Sequence, residues 1–224
     1  MPLRLVIFDC DGVLIDSEAL CDRVIAAELS EQGWDLTPAE CHRRFLGLTF
    51  PDIQSEAEAF LSRPLGAGWV PALVTRVTEA MVDEVGLIPG AREALLGTTA
   101  LGLPYRIASN SSRAEMAAKF GRTGFTPLVQ GRIHSAYDLI ARGKRGKPDP
   151  DLFLEAAAVG GADPADCLVI EDSLAGITGA VAAGMPCWAY CPEGGGAPLR
   201  AAGALPFASM FGLPDLLRRY LAEV

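Results

Sequence analysis

Four short apolar segments, separated by stretches with helical spacing, limit the fold more than any other feature of this chain. The first covers residues 3–8 and is apolar except for Arg4. Segments of this kind are typical of central strands that are buried on both faces. The other three cover residues 105–109, 168–171 and 187–190. Alternation of such strands with helices favours an α/β fold in which the strands form a parallel sheet.

Polar side chains stand where three of these segments end. Asp9 follows the first, Ser109 and Asn110 close the second, and Glu171 and Asp172 close the third. In an open parallel sheet, ligands bind beyond the carboxyl ends of the strands. The sequence therefore predicts one shared site built from three segments that are distant in the chain.

The stretch of residues 16–89 has no clear strand and is predicted to form several helices. It lies between the first strand and the rest of the α/β pattern. We therefore predict a Rossmann-like parallel-sheet core formed by residues 1–15 and 90–224. Residues 16–89 would form an inserted α-helical cap, joined by two linkers and able to act as a lid over the carboxyl end of the sheet.

Composition excludes several classes of protein. The chain of 224 residues is 50% hydrophobic and carries a net charge of −9. Disorder is therefore not expected, and an acidic surface disfavours nucleic-acid binding. No apolar run approaches the roughly 20 residues of a membrane span, and the start of the chain does not resemble a signal peptide. We expect a cytoplasmic protein.

The cysteine and histidine content gives little support to a zinc site or a disulfide framework. The chain has six cysteines, none of them in a C-x-x-C pair, and two histidines.

The cluster after the first strand contains two carboxylates. Asp9 and Asp11 lie two residues apart, so in an extended strand they would share a face. Two anions this close need a cation, and a hard ion with oxygen ligands such as Mg²⁺ fits. Alternatively, the aspartates cap a turn at Gly12, or belong to a calcium loop. An EF-hand is excluded because no glutamate stands at the twelfth position of such a loop.

Each of the other clusters also allows two interpretations. Ser109 and the serines after it could bind an anion at a helix start, or simply cap that helix. Lys147, which precedes Pro148, could be held in place, or could be a solvated loop lysine. Glu171 and Asp172 could complete a metal site, or start the next helix.

Taken together, the four clusters resemble in order and spacing the motifs of the haloacid dehalogenase-like hydrolase superfamily. The matching segments are DCDGVLIDSE, ASNSS, GKPDPD and VIEDSLAGITGA. The resemblance covers almost the whole chain and is greatest to the branch of sugar-phosphate phosphatases and β-phosphoglucomutases, which have an α-helical cap. It implies an Mg²⁺-dependent phosphatase acting on a small phosphorylated metabolite.

The resemblance also implies roles for individual residues. Asp9 would attack phosphorus and form an aspartyl-phosphate. Asp11 would protonate the leaving alcohol and later activate water. Ser109 and Lys147 would hold the phosphoryl oxygens. The implied Mg²⁺ ligands are the Asp9 carboxylate, the Asp11 backbone carbonyl, Asp172 and Glu171. The residues expected to contact the substrate are Asn110, Gly47, Leu48 and Thr49.

Departures from related activities narrow the reaction. Dehalogenases of this superfamily lack an aspartate at the position of Asp11, whereas an acid there fits an alkoxide leaving group, which argues against dehalogenation. β-Phosphoglucomutases carry a histidine where Cys21 stands, and an arginine that has no counterpart in residues 45–50. Hydrolysis of a sugar phosphate or sugar-acid phosphate is therefore favoured over a mutase reaction. A non-catalytic regulator that binds phosphorylated metabolites is the third alternative.

Residues 121–145 give the weakest pattern. We expect a strand near Leu128 and a mobile loop containing His134, which we interpret as structural or exposed rather than catalytic. Residues 213–224 are predicted to form a closing helix.

Overall fold

The parallel sheet predicted from the apolar segments is present in the computed structural model, which describes residues 2–45, 48 and 50–223. The strands are β1 Leu5–Phe8, β2 Ile15–Asp16, β3 Gly86–Leu87, β4 Tyr105–Ser109, β5 Ile133–Ser135, β6 Cys167–Glu171, β7 Cys187–Tyr190 and β8 Leu205–Phe207. Six of them form one sheet in the order β5-β4-β1-β6-β7-β8. All neighbouring strands of that sheet run parallel. The predicted Rossmann-like core is confirmed.

Helices connect the strands. They are α1 Ser17–Gln32, α2 Pro38–Phe45, α3 Phe50–Leu61, α4 Trp69–Asp83, α5 Ala91–Ala100, α6 Arg113–Arg122, α7 Thr126–Val129, α8 Ala136–Ile140, α9 Asp151–Gly160, α10 Leu174–Ala182, α11 Ala197–Ala201 and α12 Leu213–Glu223. Among the described residues, none of these helices is long and apolar enough to cross a membrane. The cytoplasmic location expected from the sequence stays a prediction.

The contacts along the chain divide it into two compact units. One unit consists of Met1–Ile15 and Leu87–Val224, and the other of Asp16–Gly86. The short strands β2 and β3, where the chain passes between the units, pair in a separate two-stranded sheet. The role of the second unit as a cap stays a prediction.

The central strand β1 is buried on both faces, as its apolar sequence requires. Leu5 and Ile7 join a core cluster that also contains Phe153 of α9 and Ile177 of α10. On the opposite face, the Phe8 ring meets the Tyr105 ring edge-on at 6.0 Å. Asp9, the next residue, therefore lies at the carboxyl end of this central strand, with 6% of its surface exposed.

The helical unit of residues 16–86 has a core of its own. Helix α1 begins after Asp16, whose side chain accepts a hydrogen bond from the Ala19 N–H at 3.2 Å. It ends at Gly33, which adopts a left-handed conformation with φ of 95°. The core of this unit is apolar and includes Leu29, Trp34, Cys41, Phe45, Ile53, Trp69 and Leu73. The buried Glu28 carboxylate within it accepts a hydrogen bond from Trp69 Nε1 at 2.9 Å.

The segment of residues 121–145 differs from its prediction. Leu128 lies in the short helix α7 rather than in a strand, because Pro127 suits the first turn of a helix. His134 lies in the edge strand β5 rather than in a mobile loop, and its side chain is buried. The prediction was wrong here because β5 has three residues and one apolar side chain, too few to show the period of a strand. The interpretation of His134 as structural agrees with this burial.

Candidate active site

Three neighbouring strands bring the predicted site residues to one edge of the sheet. Val6 of β1 is aligned with Tyr105 of β4 and with Leu168 of β6. The carboxyl ends of these strands therefore lie side by side. Asp9 follows β1 directly, Ser109 ends β4, and Glu171 ends β6.

Lys147 connects two of these strand ends. Its Nζ donates a hydrogen bond to Asp9 Oδ1 and another, 2.7 Å long, to Glu171 Oε1. Only 4% of the Lys147 side chain is exposed, and its Nζ lies 5.1 Å from the centre of the Phe153 ring. Burial opposes the charge of Lys147, but the two carboxylates outweigh burial and raise its pKa above the ordinary value. Lys147 is therefore a buried, protonated cation rather than a solvated loop lysine.

Asn110 fixes the backbone that carries this lysine. Asn110 Oδ1 accepts a hydrogen bond from the Lys147 N–H at 2.9 Å, and its Nδ2 donates to the Lys147 carbonyl at 3.1 Å. Both polar atoms of the amide are thus used in positioning Lys147. The substrate contact predicted for Asn110 from the sequence stays a prediction.

Glu171 is completely buried, and donors surround its carboxylate. Oε2 accepts hydrogen bonds, each 2.9 Å long, from the Asp172 N–H, the Ser173 N–H and the Ser173 hydroxyl. Burial alone would raise the pKa of Glu171, but Lys147 and the Ser173 hydrogen bonds outweigh it and lower the pKa. Glu171 is therefore an ionised counter-charge for Lys147.

A close approach of helix α10 explains the small residue at position 176. A Cβ atom built on Gly176 would lie 1.8 Å from Glu171 Oε1. The Glu171 carboxylate thus occupies the space that a larger side chain would need. The glycine at this position allows the helix to begin directly against the site.

The pKa of Asp9 is shifted strongly by its surroundings. Burial raises the pKa of Asp9 to about 7, although the Lys147 charge opposes this shift, and the charges of Glu171 and Asp11 add to it. A carboxylate in this position gains from a further cation that would favour its ionised form. An ionised Asp9 is what nucleophilic attack requires.

The donor set fits a hard divalent cation. Carboxylate oxygens of Asp9, Glu171 and Asp172 all lie within 4.8 Å of one another. Lys147 supplies one positive charge against these three negative charges, and a divalent ion would balance the other two. Oxygen-only ligands are the set that Mg²⁺ prefers. Gly12 leaves room for this arrangement, since a Cβ atom there would lie 1.8 Å from Asp172 Oδ2.

Asp11 stands apart from that carboxylate cluster. The chain turns at Gly12, where φ is 77°, and the Asp11 side chain has partners that Asp9 does not share. Lys119 Nζ donates to Asp11 Oδ1 at 2.7 Å, and the Ser111 hydroxyl donates to Asp11 Oδ2 at 2.9 Å. Its side chain is also more exposed, at 29% compared with 9% for Asp9. The side chains of the two aspartates thus have different surroundings, and the Mg²⁺ ligand predicted from Asp11 was its backbone carbonyl.

Ser109 is buried at the end of β4. Its hydroxyl oxygen accepts a hydrogen bond from the Ser111 N–H at 3.0 Å, which shapes the turn before helix α6. Ser112 begins that helix with a capping box. Its hydroxyl accepts from the Glu115 N–H, and the Glu115 carboxylate accepts from the Ser112 N–H. The capping function considered for this cluster therefore belongs to Ser112, whereas Ser109 lies beside β1.

Comparison with known proteins identifies the family. The family model of the haloacid dehalogenase-like hydrolases matches residues 3–184, which include Asp9, Lys147 and Asp172. The chain belongs to this family. The resemblance seen in the four sequence motifs is thereby confirmed.

Relatives of this haloacid dehalogenase-like hydrolase include phosphatases. It is 29% identical over 218 residues to 6-phosphogluconate phosphatase of Escherichia coli (strain K12). The alignment covers 96% of this chain and 94% of that protein. It is 30% identical over 187 residues to hexitol phosphatase B of the same organism, with 80% and 79% covered. The enzyme class expected from the sequence, a hydrolase of phosphoric monoesters, agrees with these relatives.

Solved structures share the fold along its whole length. A HAD family hydrolase from Deinococcus radiodurans R1, with bound phosphate and sodium, superposes with a TM-score of 0.84 at 34% identity. The alignment covers 99% of this chain and 96% of that one.

Sequence reasoning missed Lys119 and Ser135, and it did not pair Ser111 with Asp11. Lys119 and Ser111 bind Asp11, and the Ser135 hydroxyl of β5 donates to the Ser111 carbonyl at 2.8 Å. Lys119 left a signal in the sequence, because it occupies the apolar stripe of α6 between the buried Met116 and Phe120. A lysine in such a stripe needs a carboxylate partner.

The predicted substrate contacts in the helical unit are not resolved by the structure. Gly47 and Thr49 lie outside the described residues. Leu48, between α2 and α3, is 39% exposed. Contact of these three residues with a substrate stays a prediction.

Proposed function

We propose that this hydrolase is an Mg²⁺-dependent phosphatase that hydrolyses a small organic phosphate monoester through an aspartyl-phosphate on Asp9. The observation that carries the proposal is the position of the Asp9 carboxylate. It is buried at a strand end, bonded to Lys147, and within 4.8 Å of carboxylate oxygens from Glu171 and Asp172. This is the arrangement expected for a nucleophile whose charge must be balanced by cations.

The first half of the reaction transfers the phosphoryl group to the protein. An Asp9 carboxylate oxygen attacks phosphorus, and the bond from phosphorus to the ester oxygen breaks. The proton of the Asp11 carboxyl group passes to that oxygen, so the product leaves as a neutral alcohol. Lys147 and Ser109 hold the phosphoryl oxygens and offset the charge that builds on them.

The second half restores the enzyme. Water attacks phosphorus of the aspartyl-phosphate and gives its proton to the Asp11 carboxylate. The bond between phosphorus and the Asp9 oxygen breaks, which releases inorganic phosphate and regenerates both aspartates. The exposure of Asp11 is consistent with this exchange of protons with an alcohol and with water.

The residues that would hold Mg²⁺ are the Asp9 carboxylate, Asp172 and the Asp11 backbone carbonyl. When bound, the ion supplies neutralisation of the charge on the phosphoryl oxygens and on Asp9. Glu171 is the least suited of the four predicted ligands. Its carboxylate oxygens already accept hydrogen bonds from Lys147, Asp172 and Ser173.

The relatives suggest the class of substrate. Their names point to a phosphorylated sugar acid and to phosphorylated hexitols. The structural relative was solved with phosphate and sodium, an anion and a cation. We therefore propose a sugar phosphate or a sugar-acid phosphate as the substrate and expect 6-phosphogluconate to be a good first probe.

The experiment measures phosphate release from p-nitrophenyl phosphate and a panel of sugar phosphates, with Mg²⁺ and with EDTA. We expect Asp9→Asn to abolish turnover, and EDTA to remove it until Mg²⁺ is restored. The matched control is Asp215→Asn in the last helix, where the aspartate pairs with Arg218 on the surface. It should keep wild-type activity. Normal turnover by Asp9→Asn would refute the mechanism.

Single-turnover reaction in ¹⁸O-labelled water tests which bond of the proposed aspartyl-phosphate is broken by water. Release of the phosphoryl group by attack at phosphorus places the label in phosphate and none in Asp9. Label found in the Asp9 carboxylate would mean attack at its carbonyl carbon instead. Interconversion of sugar phosphates without phosphate release would establish a mutase, and binding without turnover would establish a regulator.

A further inference from the structure

The Asp11 carboxylate is held by two donors, Ser111 of the ASNSS segment and Lys119, which lies outside the four sequence motifs. Lys119 Nζ lies 2.7 Å from Asp11 Oδ1, and the Ser111 hydroxyl lies 2.9 Å from Asp11 Oδ2. The two donors also contact each other, since Lys119 Nζ lies 3.3 Å from Ser111 Oγ. Each oxygen of the carboxylate thus has its own partner.

The frame behind these donors is fixed by neighbouring strands. The Ser111 N–H donates to the Ser109 hydroxyl at 3.0 Å, and the Ser111 carbonyl accepts from the Ser135 hydroxyl at 2.8 Å. Ser111 is therefore tied to β4 and β5 through its backbone, while its hydroxyl is left for Asp11. This leaves the Ser111 side chain little freedom to follow a moving carboxylate.

Lys119 is buried in a position that would suit an apolar residue. It lies between Met116 and Phe120 on the buried face of α6, with 9% of its side chain exposed. Its Nζ donates to Asp11 Oδ1 and to the Ser111 hydroxyl, so this buried ammonium has both of these partners in the site. Burial of an ammonium group costs desolvation free energy that an apolar side chain would not, so the presence of a lysine here indicates a role in the site.

We propose that Lys119 is a positioning residue that, with Ser111, holds the Asp11 carboxylate where it meets the leaving oxygen of the substrate. The proposal rests on the function proposed above, in which Asp11 donates the proton. Lys119 makes no contact with substrate in this role. It acts through Asp11 alone.

The chemistry of the two donors gives the Asp11 oxygens different roles. An ammonium only donates hydrogen bonds, so Oδ1 beside Lys119 stays an acceptor. A hydroxyl both donates and accepts, so Ser111 accommodates Oδ2 with or without a proton. The transferable proton therefore belongs on Oδ2. It passes from there to the ester oxygen as the bond from phosphorus breaks.

The experiment compares two esters that differ in their need for an acid. When the bond from phosphorus to oxygen breaks in a sugar phosphate, the sugar leaves as a strongly basic alkoxide unless an acid protonates it. The p-nitrophenolate released from p-nitrophenyl phosphate is stable without a proton. The parameter is kcat/KM, because it reports the steps up to transfer of the phosphoryl group. The value of kcat is less suitable, because it also depends on hydrolysis of the aspartyl-phosphate, which is the same intermediate for both esters.

For Lys119→Met, we expect kcat/KM for the sugar phosphate to fall about 10- to 100-fold, a part of what general acids contribute, while that for p-nitrophenyl phosphate changes by less than about threefold. Ser111→Ala removes the other donor without removing a buried charge. It should shift the ratio of the two kcat/KM values in the same direction by a smaller factor.

The matched control is Arg122→Met, which removes an exposed cation from the same helix and should leave both values unchanged. Equal losses on the two esters, in the lysine and serine variants alike, would show a merely structural role and overturn the assignment of Lys119. If Lys119→Met does not fold, the ratio in Ser111→Ala decides. A wild-type protein that hydrolyses neither ester would instead overturn the proposed function, and the role of Lys119 with it.

Discussion

Replacement of Gly176 by alanine tests how tightly helix α10 and the Glu171 carboxylate fit together. In an ordinary helix this change stabilises a protein by about 0.5–1 kcal/mol, because glycine loses more freedom on folding. Here the new Cβ atom would lie 1.8 Å from Glu171 Oε1 and 1.9 Å from its Cδ. The carboxylate or the helix must therefore move by more than 1 Å, and we expect the sign of the effect to reverse.

The magnitude follows from the bonds that hold Glu171. Its carboxylate accepts from Lys147 at 2.7 Å and from the N–H groups of Asp172 and Ser173 at 2.9 Å. A hydrogen bond to a charged group contributes about 1.5–3 kcal/mol. If two are broken and the helix gains its usual increment, the variant loses about 2–5 kcal/mol of unfolding free energy.

The assay is urea unfolding of Gly176→Ala beside a matched variant, Gly121→Ala. Gly121 lies in helix α6, and among the described residues no atom beyond its chain neighbours and the nearby helix backbone lies within 4 Å of the Cβ that alanine would add. It should show the ordinary gain of about 0.5–1 kcal/mol. Activity should also fall more than about tenfold in Gly176→Ala, because Lys147 loses its hydrogen bond to the Glu171 carboxylate. Equal stability of the two variants would refute the reasoning.

Two further predictions concern a buried histidine and the loop that carries Lys147. Burial and the Arg106 charge lower the pKa of His134 below 6.5. The folded state therefore binds fewer protons than the unfolded chain, and the free energy of unfolding should fall as pH drops through 6.5. Unfolding free energies at pH 7.5 and 5.5 should differ less in His134→Leu than in the wild type; an undiminished difference would contradict this. Asn110→Ala removes two hydrogen bonds to the Lys147 backbone, together about 1–2 kcal/mol, so kcat should fall roughly tenfold. A raised KM with unchanged kcat would instead support the substrate contact predicted from the sequence.

Elements with a strong local signal could be predicted from the sequence. The strands Tyr105–Ser109 and Cys187–Tyr190 have the bounds that their apolar runs indicated. Helix α10 begins after Ser173, whose hydroxyl accepts from the Gly176 N–H at 3.0 Å. Burial on both faces and capping act within a few residues, so each leaves its pattern in the local sequence.

Features that depend on distant residues left weaker signals. Strand β5 forms because Ile133 and His134 pair with Ile107 and Ala108 of β4, not because its own sequence favours a strand. Lys119 reaches Asp11 across more than 100 positions of the chain. The motifs identified the carboxylates and Lys147, but nothing near Asp11 in the sequence indicated which cation would bind it.

The contrast between the two lysines gives a physical reason for the different roles proposed for Asp9 and Asp11. Lys147 joins Asp9 to the buried Glu171, in a place where burial raises the pKa of Asp9 to about 7 and a further cation would favour its ionised form. Lys119 instead joins Asp11 to Ser111, whose hydroxyl accommodates a carboxyl group that gains and loses a proton. Neighbouring carboxylates with separate partners can perform separate tasks, one bonding to phosphorus and the other transferring protons. Exchange of the two proposed roles would place proton transfer on the more buried Asp9, and bonding to phosphorus on Asp11, which is paired with Lys119 instead of Lys147.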